Sequence, residues 1–287
     1  MILSPLVIGL VLFAALTHAS WNAMVKSDTD RQTSLALVCL AGSLFGAALL
    51  PFTDPDGMTP EAWKWVLGSA LVHCCYYACL LQAYRFGDLG QVYPIARGTG
   101  PLLLALFSGV VFGEALNTRE FIGAGIVSLG IFSLAFGGNA NRTLAERRHA
   151  IGFAFLTGCT IASYLMIDGR GVRAANDPFA YIAWMNIIEG PWVAAFALLT
   201  RRTAFISAAK RGWKRGFAGG FIAALGYGIA IWAFTKGGAA HVASLRETSV
   251  IFAAAIGALL LKEGFGLRRI LAAALVASGL ILMNWRG

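Results

Sequence analysis

Tyr93-Pro94-Ile95-Ala96-Arg97-Gly98-Thr99-Gly100-Pro101 stands inside an apolar stretch running from Leu89 to Phe112, and a charge in that setting decides what kind of chain this is. A second arginine, Arg246, recurs in Ser244-Leu245-Arg246-Glu247-Thr248-Ser249 inside another apolar run. Neither position suits a solvated surface. An arginine at bilayer depth costs about 2.5–3.5 kcal/mol on insertion scales, so such residues face a partner or a water-filled cavity and mark a pathway. The alternative for each is a structural arginine bonded to neighbouring carbonyls.

The composition places these runs in a membrane. Apolar residues make up 58% of the 287 and charged ones 13%, with a mean hydropathy of +0.70. This is an integral membrane balance. Runs of about 20 residues cross a hydrocarbon core of roughly 30 Å as helices, and the alternating ten-residue segments of a membrane barrel are absent. The net charge of +9 is scattered through short loops rather than gathered in a stripe, which excludes a nucleic-acid surface as partner. All five cysteines fall within apolar spans. His73-Cys74-Cys75 with Cys79 lacks a nearby fourth ligand, so no metal is expected, and no nucleotide motif calls for a cofactor. The first residues carry no basic segment before the apolar run, so a cleaved signal peptide is not expected.

Polar and Gly/Pro punctuation divides the chain into spans near 5–25, 33–52, 63–84, 89–112, 119–136, 151–168, 178–199, 215–235, 240–261 and 267–285. The predicted fold is an all-α integral membrane protein of ten transmembrane helices, built as two inverted five-helix repeats around a central cavity. Residues 1–137 form the first repeat, 138–150 a basic linker and 151–287 the second. Ser20-Trp21 matches Ser163-Tyr164, and Tyr77, Ala83 and Tyr84 match Tyr227, Ala233 and Phe234. After one deletion Arg97 falls on Arg246, Thr99 on Thr248, Glu114 on Glu263, Arg119 on Arg268 and Gly130 on Gly279. An ungapped register sets Arg97 on Glu247 instead. Five spans per half invert the second repeat, the plan of secondary transporters that bind substrate between halves. Of 23 Lys and Arg, 15 lie beside the loops after spans 1, 3, 5, 7 and 9, six lie on the other face and two are the buried arginines. The positive-inside rule therefore sets both termini outside the cytoplasm.

Pro94, Gly98, Gly100 and Pro101 predict a broken span 4 whose freed carbonyls line a cavity beside Arg97; a packing kink is the alternative. In an inverted repeat Arg97 and Arg246 approach from opposite sides of the midplane and offer an anion one donor fork each. Glu247 either meets an ammonium group or pairs with an arginine. Trp21, Tyr77, Tyr84, Tyr93, Tyr164 and Tyr227 recur at matched or helically spaced positions and are the candidate walls, with core packing as the alternative. His18 is the titratable candidate for coupling. Glu189, Glu114 and Glu263 read as helix-end or inter-helix polar contacts.

Tyr93 to Gly98, continuing through Pro101 to Gly113-Glu114 and then Gly123 to Gly130, resembles the ten-helix branch of the drug/metabolite transporter superfamily, the EamA type. The second copy is Leu245 to Ser249 leading to Lys262-Glu263, where the first has Gly113-Glu114. The resemblance covers nearly the whole chain. It implies an exporter of amino acids, related metabolites or drugs in a bacterial inner membrane, working by alternating access with spans 1, 3, 4, 6, 8 and 9 around the cavity.

The leading expectation is a secondary transporter exporting small-molecule solutes, amino acids foremost. The rivals are a lipophilic-cation exporter, which calls for an intramembrane carboxylate without a cationic neighbour, and an intramembrane enzyme, against which stands the absence of HExxH and GxSxG. The sequence leaves energy source, direction and oligomeric state open.

Overall fold

The structure is a computed structural model that describes residues 3–26, 28, 30–87, 89–135, 143–259 and 267–284. Its helices are α1 (Pro5–Lys26), α2 (Arg31–Leu49), α3 (Pro60–Phe86), α4 (Leu89–Phe112), α5 (Thr118–Ser133), α6 (Leu144–Ala174), α7 (Pro178–Ala233), α8 (Ala239–Arg246), α9 (Ser249–Leu259) and α10 (Leu267–Asn284). Lys262, Glu263, Trp285 and residues 138–142 of the expected linker lie outside the described residues.

Short polar caps fix where each span begins. Thr59 accepts from the Ala62 amide ahead of α3 and is followed by Pro60, whose missing N–H costs nothing at a first turn. Asn117 with Glu120 and Thr143 with Glu146 form reciprocal capping boxes at α5 and α6. The second of these starts α6 at Leu144, so the polar residues 144–149 are its opening turns rather than linker.

Among the described residues seven helical segments are long and apolar enough to cross a membrane, and the shorter α5, α8 with α9, and α10 occupy the other expected spans; three features differ from expectation. α7 comprises two helices that carry two spans, Pro178–Thr203 and Phe205–Ala233, joined with no intervening loop by a sharp break at Arg201, whose backbone is non-helical (φ −144°, ψ 42°). Of residues 200–214, read as a polar interruption, the part after the break at Arg201 is helical, with no Gly or Pro before Gly212. Span 4, expected to be broken, is the continuous helix α4 with Pro94 and Pro101 inside it. The two prolines are seven residues apart and so share a face, which a membrane helix accommodates as a bend. The interruption falls in span 9 instead, between α8 and α9. There the amides of Glu247, Thr248, Val250 and Ile251 turn to carbonyls three residues back, tightening the backbone just where Glu247 leaves the helix.

The two halves interlock about a pseudo-twofold. α6 packs on α3 and α4, and α1 packs on α7 and α9; the α1 contact falls on the second half of α7, where Gly226 lies against Ala14 and Thr17. The pair α5 and α10 is its own partner. A Cβ at Gly123 would sit 2.7 Å from the Gly279 carbonyl, and one at Gly130 would sit 3.1 Å from the Ala272 carbonyl. Moving along the sequence by the Arg97-to-Arg246 offset carries Gly123 to Ala272 and Gly130 to Gly279. One contact is thus the image of the other, which supports the gapped register.

Across the halves, Arg97 Nη2 on α4 donates to Glu247 Oε1 at 2.7 Å, with Arg97 7% and Glu247 4% exposed. This bond ties the first repeat to the interruption in the second. Outward faces carry Leu6, Phe13, Leu67, Leu129 and Ile281, as a lipid-facing surface requires.

Two substitutions test this packing. Gly279→Val drives a side chain into the Gly123 backbone and lowers stability by about 1–3 kcal/mol, read as a drop in thermal midpoint in detergent, whereas Gly125→Ala, which meets nothing within 4 Å, leaves it unchanged. Glu247→Ala strands a buried guanidinium and costs about 3–5 kcal/mol, while the double change Arg97→Met with Glu247→Leu recovers most of that loss.

Candidate functional site

α1, α2, α3, α4, α6 and α7 surround a chamber of about 650 Å³ that reaches inward from the basic-loop ends of the helices, past Val25, Gln32, Tyr84 and Gly87. It adjoins a deeper pocket of about 160 Å³, the two sharing Trp21, Asn22, Leu35, His73, Tyr76, Tyr77, Tyr93, Arg97 and Glu189. Trp21, Tyr77, Tyr93 and Arg97 stand on both, Tyr84 on the outer chamber, and His18, Tyr164, Tyr227 and Arg246 on the inner pocket. The aromatic recurrence in the sequence therefore lands on one cavity. Glu247 does not line it.

The two arginines have different fates. Arg97 is paired with Glu247, so one of the two expected donor forks is already engaged, and the hydrogen bond of Glu247 goes to Arg97 rather than to its neighbour Arg246. Arg246 is 6% exposed and has no carboxylate partner among the described residues. Its guanidinium carbon lies 5.2 Å from the centre of the Tyr227 ring, a cation–π contact, and its Nε is buried without a hydrogen bond. Tyr227 is held in turn because its hydroxyl donates to Asp168 Oδ2 at 2.6 Å while Tyr181 donates to Oδ1 at 2.9 Å. Arg246 is thus a positioned cation at the floor of the pocket, with donor capacity directed inward.

Glu189, in the middle of an apolar span, lines the same pocket. Its Oε1 accepts from the Tyr77 hydroxyl at 2.9 Å, and its ion-pair neighbour among the described residues is His73, 3.9 Å away. His73 Nδ1 lies 2.9 Å from the Ser69 carbonyl, which only a donor satisfies; Nε2 is left to accept or, once protonated, to pair with Glu189. The His73 ring stacks on Tyr164 at 4.2 Å, and Tyr76 meets Tyr77 and Tyr164 edge-on at 5.0 and 5.8 Å. His18 lies against Trp21 at 5.4 Å on the same pocket. Glu189, read as a polar contact between helices, is that and also a wall of the cavity. The rule that marked the arginines applies equally to a carboxylate or a histidine within an apolar span and was the available signal for Glu189 and His73; Tyr76 and Asn186, which also line the pocket, had no such signal.

The opposite end is shut. Arg173 Nη2 pairs with Glu114 Oε1 at 2.8 Å, and Arg173 donates to the carbonyls of Phe234 and Gly237. Glu114 Oε2 accepts from the Ala239 amide at 2.8 Å, capping α8. Among the described residues these bonds tie α4, α6, α7 and α8 together at the end away from the basic loops.

Comparison with known proteins agrees with this architecture. A solved crystal structure of another protein shares the fold with a TM-score of 0.77 over 96% of this chain and 94% of that one, at 17% identity. The probable 4-amino-4-deoxy-L-arabinose-phosphoundecaprenol flippase subunit ArnF of Pseudomonas aeruginosa is 32% identical over 120 residues, which cover 40% of this chain and 84% of that protein. A WAT1-related chloroplastic protein of Arabidopsis thaliana is 24% identical over 251 residues, 80% of this chain and 56% of that protein. The EamA-like transporter family matches twice, over residues 5–136 and again over 149–285, and the chain is a multi-pass membrane transporter belonging to that family.

Proposed function

We propose that the protein is a secondary transporter exporting amino acids, or similarly small amphipathic metabolites with both an amine and an anionic group, across a bacterial inner membrane by alternating access. The observation that carries this reading is one pocket of about 160 Å³ lined by both Arg246 and Glu189. Arg246 offers unused donors to a carboxylate or phosphate. Glu189 with Tyr77 offers acceptors to an ammonium group. The tyrosine and tryptophan faces accommodate an apolar side chain. The shut end at Arg173 and Glu114 and the open end at the basic loops correspond to one of the two states such a cycle needs. The name of the Pseudomonas relative joins an amine, a phosphate and a polyprenyl carrier in one molecule, the same pairing of head-group charges on an apolar body.

A second reading, export of lipophilic cations, is favoured by one observation. Glu247, paired with Arg97, does not supply the carboxylate that reading calls for; Glu189, with no arginine or lysine partner among the described residues, meets that requirement. Turnover chemistry is not part of either reading.

Flux of radiolabelled amino acids in sealed proteoliposomes separates the two. On the first reading leucine-sized amino acids move, and Arg246→Ala, which removes a charge-assisted contact of about 1.5–3 kcal/mol, lowers kcat/KM by at least roughly tenfold with the protein still folded. Absence of flux for every amino acid, together with cation transport that Glu189→Gln abolishes and Arg246→Ala spares, would establish the second.

A further inference from the structure

Resting on the reading that the pocket binds a head group bearing an amine and an anion, we propose that the chamber also opens sideways into the bilayer between α3 and the first half of α7. Its substrates carry an apolar chain that lies in this side opening while the head group sits in the inner pocket.

A residue that lines an internal chamber and is also exposed on the outer surface stands at a rim. Cys74, Ala78 and Leu81 on α3 and Trp192 and Phe196 on α7 do both. Trp192 is 63% and Phe196 50% exposed. Both helices cross the membrane, and all five residues lie inside the helix ends, so the medium beyond that rim is acyl chain rather than water.

The neighbouring contacts explain why a gap exists there. At the shut end α3 and α7 meet through the Trp63 and Trp184 rings, 5.0 Å apart. Deeper in, the Tyr77 hydroxyl bridges them by its bond to Glu189. Beyond that bond Leu81 on α3 and Phe196 on α7 both line the chamber and are both exposed on the outer surface. The opening therefore faces the leaflet on the basic-loop side.

The volumes also point outward. A head group of amino-acid size occupies a pocket of about 160 Å³. The outer chamber of about 650 Å³, with Val25, Leu35, Leu80 and Ile161 on its walls, offers far more apolar lining than such a head needs. Lipid tails are as apolar as these side chains, so moving a chain from bilayer to chamber is nearly neutral. The side opening hence does not select the chain. It removes any need to take the chain out of hydrocarbon while the polar head crosses, and it leaves recognition to Arg246 and Glu189.

This has a measurable signature. A closed chamber imposes a length limit, whereas a side-opening one does not. In proteoliposomes, straight-chain 2-amino acids of four to fourteen carbons should inhibit leucine flux with no loss of potency at the long end. Ala78→Trp, which fills the rim from a lipid-facing position, should weaken the longest compound at least tenfold relative to the variant's own leucine KM. A potency cut-off in the unaltered protein, or no effect of Ala78→Trp, overturns the proposal.

A second arm is independent of transport. Phospholipid carrying a diazirine midway along its chain should label α4 and α6 at Ala96 and Ile161, which are 2% and 4% exposed, and labelling should disappear in Ala78→Trp. No labelling there, with leucine flux intact, overturns the side opening alone. Labelling without amino-acid flux leaves the opening standing and overturns the head-group reading. Labelling without competition by long-chain amino acids identifies a resident lipid and overturns the assignment to substrate.

Discussion

Everything in this molecule answers to the cost of holding a guanidinium away from water. Arg97 at membrane depth is tolerated because Glu247, from the other half of the chain, reaches it at 2.7 Å. To make that reach, span 9 gives up its regular hydrogen bonding between Arg246 and Ser249. The interruption in turn leaves polar atoms of Ser244, Glu247 and Ser249 buried without partners. A fold stabilised only by apolar packing would have no reason to accept these losses. Buried ion pairs of this kind are weak evidence of stability and better evidence of a fixed arrangement, here the docking of α4 against the junction of α8 and α9.

The duplication explains why one arginine is left over. The Arg97-to-Arg246 offset that overlays the α5 and α10 contacts places Gly98 opposite Glu247. A side chain at Gly98 would collide with the Phe132 ring at 2.7 Å, so the first half has no room for a matching carboxylate. Two arginines are thus served by a single glutamate. Arg97 takes it, and Arg246 is steadied by the face of Tyr227, which satisfies its charge only in part. An internal repeat that has diverged at one position has turned a symmetric pair into one structural cation and one cation with donor capacity to spare.

Much of this was legible in the chain. Span number, the two repeats and the aromatic positions around one cavity follow from hydropathy and internal matches, since both record burial pattern directly. What was not legible depends on partner choice. That Glu247 bonds Arg97 rather than its sequence neighbour Arg246 is decided by how α4 crosses α8, and no local spacing encodes it. The break was assigned to span 4 because prolines are visible signals, yet two prolines on one face only bend α4, while the true interruption in span 9 has no proline and arises from a long-range bond. The polarity of residues 200–214 points to a loop, yet the turn between the two spans is made by the non-helical backbone at Arg201 alone, and polarity without Gly or Pro lets the following residues begin the next helix.

The two ends of the cavity differ in how firmly they are held, and this bears on the proposed cycle. At the shut end the Arg173–Glu114 pair is partly buried, with side chains 27% and 19% exposed, and it is reinforced by two backbone carbonyls and by the cap on α8. At the open end the tie from α7 to the loop before α2 runs through Arg201 to Asp30 at 3.1 Å, with the arginine 45% exposed. Exposed pairs of that kind contribute about 0.2–1 kcal/mol. The described bonds therefore favour the state open to the basic loops, and reversing it requires something to offset Arg173 and Glu114. A ligand shifts such an equilibrium only by its difference in affinity between the two states. The natural place for that difference is the pocket floor, because Arg246 and the amide of Ala239 that Glu114 caps belong to the same short helix, α8. A substrate anion pulling on Arg246 acts on the helix whose other end is fastened to the latch.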